Sequence, residues 1–408
     1  MPSIVLSLII VAIAIALPAL WVIRSISLRR NIFDSGGVAG QIKERGKRIP
    51  NTGGIAIFVA LALPLAAALA GSLWLDPADL PQTRWTGALA AHLPGLASSA
   101  RAGLVLLGCL TLLHVLGLID DRRPLGPFLK LVIMLVPAAT VVVLTDSRLL
   151  TMLDAPVGGA WLSITITVLW IVAITNAINF IDNMDGLCAG VAAVASVFFL
   201  LAALLSGQWF VAGTLALLLG ALLAFLVFNF PPATMYMGDA GSLVVGFTLA
   251  FLTVRTTFVP IERWTFYTPY STTTGTGNAG PLHAVLMPLL ILAVPLYDFI
   301  TITCLRLYQG KSPFVGDMQH VSHRLVARGL SRRAAVLVLW GFTAVSGCSA
   351  LLLRSLTVWQ AAVVGLQILI LFLILAVIEF AGSESPIRKA APSTPPAPPA
   401  PSPAPSLP

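Results

Sequence analysis

Long apolar stretches separated by short polar connections occupy most of this 408-residue chain. Each stretch has roughly 18 to 22 residues, which lets a helix cross a hydrocarbon core about 30 Å thick. Because a backbone in lipid must satisfy its own hydrogen bonds, these stretches are expected to be helical. We predict eleven spans, at residues 3–23, 53–75, 102–119, 128–145, 161–179, 187–206, 210–229, 242–259, 283–304, 334–353 and 358–380.

The composition supports a membrane protein. The chain is 58% hydrophobic and only 10% charged, whereas about a quarter of the residues in ordinary globular domains are charged. We therefore predict an all-α polytopic integral membrane protein. Residues 1–382 are expected to form one transmembrane catalytic domain, with the first segment retained as an anchor. The Pro- and Ala-rich residues 383–408 are expected to form a disordered cytoplasmic tail.

The basic residues predict the orientation in the membrane. Of the 24 Lys and Arg residues, 18 lie in alternate connections or in the tail. By the positive-inside rule the N-terminus is expected outside and the C-terminus in the cytoplasm. This bias explains the net charge of +8 without a nucleic-acid partner. The four cysteines fall singly in or beside apolar runs, so they are expected to act as small hydrophobic residues.

A polar cluster interrupts the apolar pattern at Asn176–Gly190. Asn176, Asn179 and Asn183 follow the i, i+3, i+7 spacing that places residues on one helix face. Asp182 and Asp185 flank this face where the apolar run ends. Polar groups are costly in lipid unless something binds them. The cluster therefore suggests a cation and an anionic substrate.

A pair of adjacent carboxylates, Asp120 and Asp121, ends the third span. Because adjacent carboxylates repel each other, the pair requires a cation or basic groups such as Lys130. One interpretation is a solvated helix end with a surface salt bridge. The other is a pair that handles Mg²⁺ or a proton beside a phosphate, since Mg²⁺ takes one or two carboxylates together with phosphate oxygens.

The segment Met237–Ser242 adds a third carboxylate, Asp239, before the eighth span. Gly238 and Gly241 allow close backbone approach, and Ser242 is expected to cap the next helix. A simple tight turn is the alternative. Before the second span, Lys47 and Arg48 form either a basic membrane flank or a site for a diphosphate or lipid phosphate.

The loop Asp317–Arg333 combines His320 and His323 with Arg324 and other basic residues. Its spacing does not suit zinc, so we expect a phosphate-binding loop. Asp298 lies inside the ninth apolar run, where an acid is either functional or paired with Arg306 or with this loop. These polar stretches all fall on one predicted side. A transporter or flippase, the alternative function, would instead place polar groups near the midplane of broken helices.

Together these motifs resemble the polyprenyl-phosphate N-acetylhexosamine-1-phosphate transferases. The resemblance runs in order from about Arg48 to Arg324. The matching segments are Pro50–Gly54, Asp120–Asp121 with Lys130, Asn176–Leu187, Gly238–Ser242, Pro295–Asp298, Gly310–Phe314 with Asp317, and His320–Arg324.

The resemblance implies transfer of HexNAc 1-phosphate, with GlcNAc 1-phosphate favoured, from a UDP-sugar to undecaprenyl phosphate. It also implies Mg²⁺, a bacterial inner membrane with a cytoplasmic active site, and a homodimer as one expectation. Asp239 and Asp121 are the candidate metal ligands. Asp120 is expected to orient or deprotonate the lipid phosphate, with a covalent aspartyl-phosphate route as the alternative.

The remaining candidates are assigned to the substrates. Asn176, Asn179, Asp182 and Asp185 are expected to shape the nucleotide pocket, with His320, His323 and Arg324 nearer the sugar and the diphosphate. Another UDP-sugar, such as UDP-MurNAc-pentapeptide, is the alternative donor, although the tri-histidine motif of the enzymes that use it is absent.

Two residues depart from the family pattern. Asn183 replaces the first glycine of the signature, and Ser322 replaces a histidine of the last loop. Because Asn tolerates the left-handed backbone region better than most residues, the turn at Asn183 is expected to be retained.

Overall fold

A computed structural model describes residues 2–33, 49–76, 93–257, 280–312 and 319–380, together with residues 83, 87 and 90. Lys47, Arg48, Asp317 and the predicted tail lie outside the described residues. Within the described part the chain is helical and contains no β-strand. In chain order the helices are α1 Pro2–Arg29, α2 Gly53–Trp74, α3 Leu93–Ser98, α4 Ala100–Asp120, α5 Pro127–Thr145, α6 Trp161–Phe180, α7 Leu187–Leu205, α8 Trp209–Asn229, α9 Asp239–Thr257, α10 Gly280–Ile291, α11 Ala293–Tyr308, α12 Val321–Ala327, α13 Arg332–Leu352 and α14 Val358–Phe380, with 3-10 turns at Thr151–Leu153 and Leu353–Ser355.

Each predicted span corresponds to a helix or, in one case, to a pair of helices. Among the described residues, nine helices are long and apolar enough to cross a membrane. These helices confirm the prediction of an all-α, multi-pass membrane protein. The short helices α3 and α12 were not predicted, because neither has the length that hydropathy detects.

Helix α9 lies at the centre of the bundle and packs against α2, α4, α6, α7 and α8. Its residues from Ala240 to Val254 are all buried. Because its neighbours are other helices rather than lipid, α9 can carry Asp239 in its first turn and Arg255 in its last. The central helix of the bundle therefore begins with a carboxylate, that of Asp239.

The ninth predicted span is a bent pair rather than one helix. Val285–Ile291 and Ala293–Tyr308 meet at an angle of 79°. Pro295 explains the bend, because proline has no N–H to bond the preceding turn but fits the first turn of a new helix. Helix α11 therefore starts just before Pro295 in a new direction and carries Asp298 inward.

Close backbone contacts align the start of α2 with the start of α9. Gly53 and Gly54 donate backbone hydrogen bonds of 2.9 Å to Tyr236 and Met237. A Cβ at Gly54 would lie 2.6 Å from the Cα of Gly241, so these glycines allow a contact that no larger residue permits. The predicted close approach at Gly241 is confirmed.

Candidate active site

Four polar side chains from four helices meet at one end of the bundle. The Lys130 ammonium, near the start of α5, lies 3.4 Å from the Asp120 carboxylate at the end of α4. It also donates a 3.3 Å hydrogen bond to Oδ1 of Asn179, near the end of α6. A direct ion pair joins it to Asp239, the first residue of α9. Residues that lie up to about 120 positions apart in sequence thus form one site.

Asp239 is the carboxylate of this cluster that is most open to a ligand. Asn179 Nδ2 donates to its Oδ1 at 2.9 Å and also approaches Ser242 Oγ at 2.7 Å. The Asp239 side chain is nevertheless 27% exposed, compared with 15% for Asp120 and 12% for Lys130. The amide orients the carboxylate while part of it remains accessible.

Asp120 is held by its own loop. The backbone N–H of Leu125 donates to Asp120 Oδ1 at 2.8 Å, and the second oxygen faces Lys130. One carboxylate oxygen is therefore used to fix the turn between α4 and α5. The other is directed into the shared site.

Asp121 caps the central helix from outside that helix. The backbone N–H groups of Asp239 and Ala240 donate to the two Asp121 oxygens, at 2.9 and 3.2 Å. Asn51 Nδ2 adds a hydrogen bond of 3.0 Å. The predicted capping role of Ser242 is wrong, because Ser242 lies inside α9 and donates to the Gly238 carbonyl. The turn instead uses Gly238 at φ +70°.

Among the described residues, carboxylates outnumber ammonium groups at this site. Asp120 and Asp239 share the ammonium of Lys130, and Asp121 adds a third carboxylate that accepts from the Asp239 N–H. Burial and then the charge of Asp239 raise the pKa of Asp121 to about 7. The part of this rise that comes from the charge of Asp239 reflects repulsion between the two carboxylates, and an additional cation would offset that repulsion.

The donor atoms suit Mg²⁺ bound together with a substrate. Among the described residues, no group of three His, Cys, Asp or Glu side chains lies close enough to hold a metal ion alone. Two carboxylates and an amide oxygen are hard donors, and Mg²⁺ commonly takes one or two carboxylates plus phosphate oxygens. The residues present therefore fit the ion when a diphosphate supplies the remaining ligands.

The rest of the Asn176–Gly190 segment is partly used for structure. Asn176 Nδ2 donates to the Val172 carbonyl of its own helix at 2.9 Å. Asp185 accepts a 2.9 Å hydrogen bond from the backbone of Ala233. Asp182 follows α6 one turn after Asn179. The segment thus continues the site towards the α8–α9 connection.

A turn is present at Asn183, but the left-handed conformation expected of Asn183 is not. Asn183 is not among the residues with positive φ; Gly186, at φ +75°, adopts that conformation. The Asn183 side chain instead bonds the Phe180 carbonyl at 2.8 Å and accepts a 2.6 Å hydrogen bond from Ser322. The two departures from the family pattern are therefore in contact.

The histidine loop is fixed by a buried carboxylate. Asp298, which is fully buried, accepts hydrogen bonds of 2.7 Å from His320 Nδ1 and from the backbone N–H of Val321. The His320 ring lies 6.4 Å from that of Phe180, at the end of α6, and 6.4 Å from that of His323. Pairing of Asp298 with the basic loop, one of the expectations for this acid, is observed, and its role in substrate binding stays a prediction.

Arg324 points away from the carboxylate cluster. Its Nε donates to Glu379 Oε2 at 2.8 Å, and Nη2 lies 3.3 Å from Thr301 Oγ1. Glu379 was missed by the sequence analysis, although a single acid inside the eleventh span was a signal for it. His114 was also missed; its Nδ1 lies 2.9 Å from the carbonyl oxygen of Ala240.

Comparison with known proteins gives a consistent result. Residues 103–257, which contain all four members of the Asp120–Lys130–Asn179–Asp239 cluster, match glycosyl transferase family 4. A Bacillus subtilis (strain 168) protein named probable undecaprenyl-phosphate N-acetylglucosaminyl 1-phosphate transferase is 30% identical over 336 residues, which cover 81% of this chain and 80% of the relative.

Two further relatives come from other bacteria. The decaprenyl-phosphate N-acetylglucosaminephosphotransferase of Mycobacterium tuberculosis H37Rv is 30% identical over 71% of this chain and 69% of its own. The undecaprenyl-phosphate alpha-N-acetylglucosaminyl 1-phosphate transferase of Escherichia coli K12 is 28% identical over 57% of this chain and 60% of its own.

Proposed function

The chain belongs to glycosyl transferase family 4, among the polyprenyl-phosphate N-acetylhexosamine-1-phosphate transferases, and we propose that it transfers GlcNAc 1-phosphate from UDP-GlcNAc to undecaprenyl phosphate. UMP is the second product, and the lipid-linked sugar would start a cell-envelope glycan. The observation that carries the proposal is the cluster of Asp120, Lys130, Asn179 and Asp239 at one end of the bundle. The names of the three relatives favour GlcNAc as the sugar.

The reaction exchanges one phosphoanhydride bond for another. An oxygen of the lipid phosphate attacks the β-phosphorus of UDP-GlcNAc, and the bond from that phosphorus to the bridging oxygen breaks. The bridging oxygen leaves on UMP. Both reactants are anions, so the enzyme must hold them in line and reduce their repulsion.

Lys130 and Asp120 are suited to the lipid phosphate. The ammonium of Lys130 supplies positive charge beside the acceptor, and the accessible oxygen of Asp120 orients it or takes its remaining proton. A phosphate monoester has a second pKa near 6 and is already largely dianionic at pH 7, so orientation is the larger task. The Leu125 hydrogen bond keeps Asp120 in place for it.

Asp239, together with Asp121 or Asp120, would hold Mg²⁺ against the diphosphate. When bound, the ion would supply positive charge that offsets the charge of the diphosphate. Asn179 orients Asp239 through its 2.9 Å hydrogen bond. Asp121 contributes mainly by fixing the first turn of α9, from which the Asp239 side chain projects.

The nucleotide and the sugar are proposed to lie between α6 and the histidine loop. Asn176 lies in the last turns of α6, and Asp182 and Asp185 follow this helix. His320 lies across from the end of α6, since its ring packs edge-on against Phe180, and His323 lies beside it. This arrangement places the two histidines near the sugar, and Asp120 and Asp239 near the metal.

We further propose that this end of the bundle faces the cytoplasm, where UDP-sugars are available. The bias of Lys and Arg towards the same connections supports this orientation. A transporter or flippase would move substrate without producing UMP. The gathering of Asp120, Lys130 and Asp239 at helix ends favours the enzyme.

The test is a UMP-release assay with purified protein in lipid nanodiscs. Undecaprenyl phosphate and Mg²⁺ are supplied with UDP-GlcNAc, UDP-GalNAc or UDP-MurNAc-pentapeptide in turn. We expect UMP release with UDP-GlcNAc only in the presence of both the lipid phosphate and the metal. Absence of UMP with all three donors would contradict the proposal, whereas release with another donor alone would change only the sugar.

A further inference from the structure

A carboxylate is buried at the end of α14, the last helix in the described part of the chain. Glu379, next to the last residue of α14, is 3% exposed as a residue, and its side chain is fully shielded. An acid at a membrane boundary would ordinarily reach water. Here it is enclosed by protein, so its charge requires partners within the bundle.

Those partners come largely from α12. Arg324 places both Nε and Nη2 at 2.8 Å from Glu379 Oε2. Tyr297, on α11, donates to the same oxygen at 3.2 Å. The other oxygen, Oε1, is buried with no hydrogen-bond partner among the described residues. Among the described residues, Arg324 is therefore the main partner of the Glu379 carboxylate.

A second arginine of the α12 segment reaches the same residue. Arg328 Nε and Nη2 donate to the backbone carbonyl oxygen of Glu379, at 3.0 and 2.6 Å. Arg324 also stacks over Phe380, with 5.2 Å from its guanidinium carbon to the ring centroid. The end of α14 therefore receives both guanidinium groups that project from one side of α12.

Helix α12 needs such anchors because it has only seven residues. A helix this short is not stable by its own hydrogen bonds, so tertiary contacts decide where it lies. Asp298 holds its first residues through His320 and the Val321 N–H. Glu379 holds its remaining length through Arg324 and Arg328.

We propose that Glu379 is a positioning residue for the sugar-nucleotide half of the reaction. By anchoring Arg324 and Arg328 it sets the position of α12 and, through α12, the positions of His320 and His323. The inference rests on the proposed function, and it also assigns Arg324 to positioning rather than to direct contact with the diphosphate. Two buried carboxylates, Asp298 on α11 and Glu379 on α14, then hold α12 from opposite ends.

A simpler interpretation is an ion pair that only stabilises the bundle. The two differ in where the effect of losing the charge would appear. A bundle-wide contact would lower thermal stability and affect all kinetic constants together. A positioning contact would weaken use of the UDP-sugar selectively, because the proposed function places undecaprenyl phosphate beside Lys130 and not beside α12.

The experiment compares Glu379→Gln with Tyr297→Phe in full-length protein in nanodiscs. Glu379→Gln keeps the shape of the side chain and removes its charge, whereas Tyr297→Phe removes one hydrogen bond to the same oxygen and leaves the arginine contacts intact. KM for UDP-GlcNAc, KM for undecaprenyl phosphate, kcat and hydrogen–deuterium exchange of residues 321–327 are measured for each.

We expect Glu379→Gln to raise KM for UDP-GlcNAc about tenfold, by the loss of a charged hydrogen-bond pair, and to leave KM for the lipid unchanged. Hydrogen–deuterium exchange of residues 321–327 should be faster in Glu379→Gln than in wild type, and the Tm of the variant should stay within a few degrees of the wild-type value. Tyr297→Phe should resemble wild type. Wild-type KM and exchange in Glu379→Gln, or faster exchange throughout the bundle with a large fall in Tm, would overturn the proposal.

Two further controls keep the test decisive. If Glu379→Gln does not fold, the double variant Glu379→Gln/Arg324→Gln leaves no unpaired buried charge at this position, and a raised KM is again expected; a wild-type KM would overturn the proposal. If the wild-type protein releases no UMP, the proposed function fails, but the exchange of residues 321–327 still reports whether Glu379 anchors α12.

Discussion

Ser322 donates a hydrogen bond of 2.6 Å to Oδ1 of Asn183. The two residues are 139 positions apart, and both differ from the motifs of the family that the sequence resembles. The side chains of Asn and Ser together have as many non-hydrogen atoms as those of the Gly and His in those motifs. From the contact we propose a compensated exchange, in which a larger residue at position 183 accompanies a smaller one at position 322.

The first prediction tests this compensation. Asn183→Gly leaves a gap beside Ser322, and Ser322→His forces an imidazole against Asn183. Each single variant is expected to lose UMP release by about tenfold, and the double variant should return to within a few-fold of wild type, since contacting residues couple by about 0.5–3 kcal/mol.

The measurement is a double-mutant cycle on kcat/KM for UDP-GlcNAc. Tm is recorded alongside for all four proteins. Additive losses in the double variant would show that the two positions act independently and that the contact has no role in activity.

Hydropathy predicted the membrane helices well, because lipid leaves the backbone few alternatives to helix. It missed the bend between α10 and α11, because Pro295 starts a new helix whereas Pro288, in the same apolar run, lies inside α10. It also missed α12. A helix of seven residues is placed by Asp298 and Glu379, and neither contact is visible in local sequence.

The candidate site was predictable as a group of residues but not as a set of contacts. The sequence brought Asp120, Lys130, Asn179 and Asp239 to one end of the bundle, and the structure joins them. Nothing in the sequence showed that Asp121 caps α9 through the N–H groups of Asp239 and Ala240. A capping role between separate helices depends on how the helices are packed, which only the three-dimensional fold determines.

The second prediction concerns the proposed metal ligand. Asp239→Asn keeps the size of the side chain but removes its charge. The rate of Mg²⁺-dependent UMP release should therefore fall at least a thousandfold, which corresponds to a rise of about 4 kcal/mol in the activation barrier. The control is Asp146→Asn, at the opposite end of α5. Asp146 is 77% exposed there, and Asn suits its left-handed backbone.

Activity is measured across a Mg²⁺ titration, with Tm as a check of folding. Asp146→Asn should match wild type at every concentration. Retained turnover in folded Asp239→Asn would remove Asp239 as a metal ligand.

The third prediction concerns the charge balance around Lys130. Lys130→Met leaves the Asp120 and Asp239 carboxylates facing each other without their ammonium, so the protein should lose activity and Tm should fall in EDTA. Mg²⁺ should then raise Tm more in the variant than in wild type, because the ion replaces the missing positive charge.

The check is a thermal-shift titration with Mg²⁺, repeated with Ca²⁺ and with K⁺ at matched ionic strength. Lys311→Met, at an exposed lysine, is the control for loss of a charge. Equal Mg²⁺ responses in Lys130→Met and wild type would argue that no cation binds beside these carboxylates.

The fourth prediction uses two glycines of the same helix. A Cβ added at Gly117 would lie 2.5 Å from the carbonyl carbon of Asp239 and closer still to the backbone nitrogen of Ala240. Because these atoms are backbone at the start of the central helix, α4 and α9 would have to separate. At Gly108 an added Cβ meets no atom within 4 Å in the described part of the chain.

Gly117→Ala is therefore expected to move Asp239 away from Lys130 and to reduce UMP release about a hundredfold or more, since small misplacements of reacting groups cost rate on this scale. Gly108→Ala should keep wild-type activity. The higher helix propensity of Ala should stabilise α4 by roughly 0.5–1 kcal/mol. Kinetics and Tm of the two variants in the same lipid are compared. If Gly117→Ala turns over like Gly108→Ala, the close packing of α4 on α9 does not set the geometry of the carboxylate cluster, and catalysis must depend on groups elsewhere.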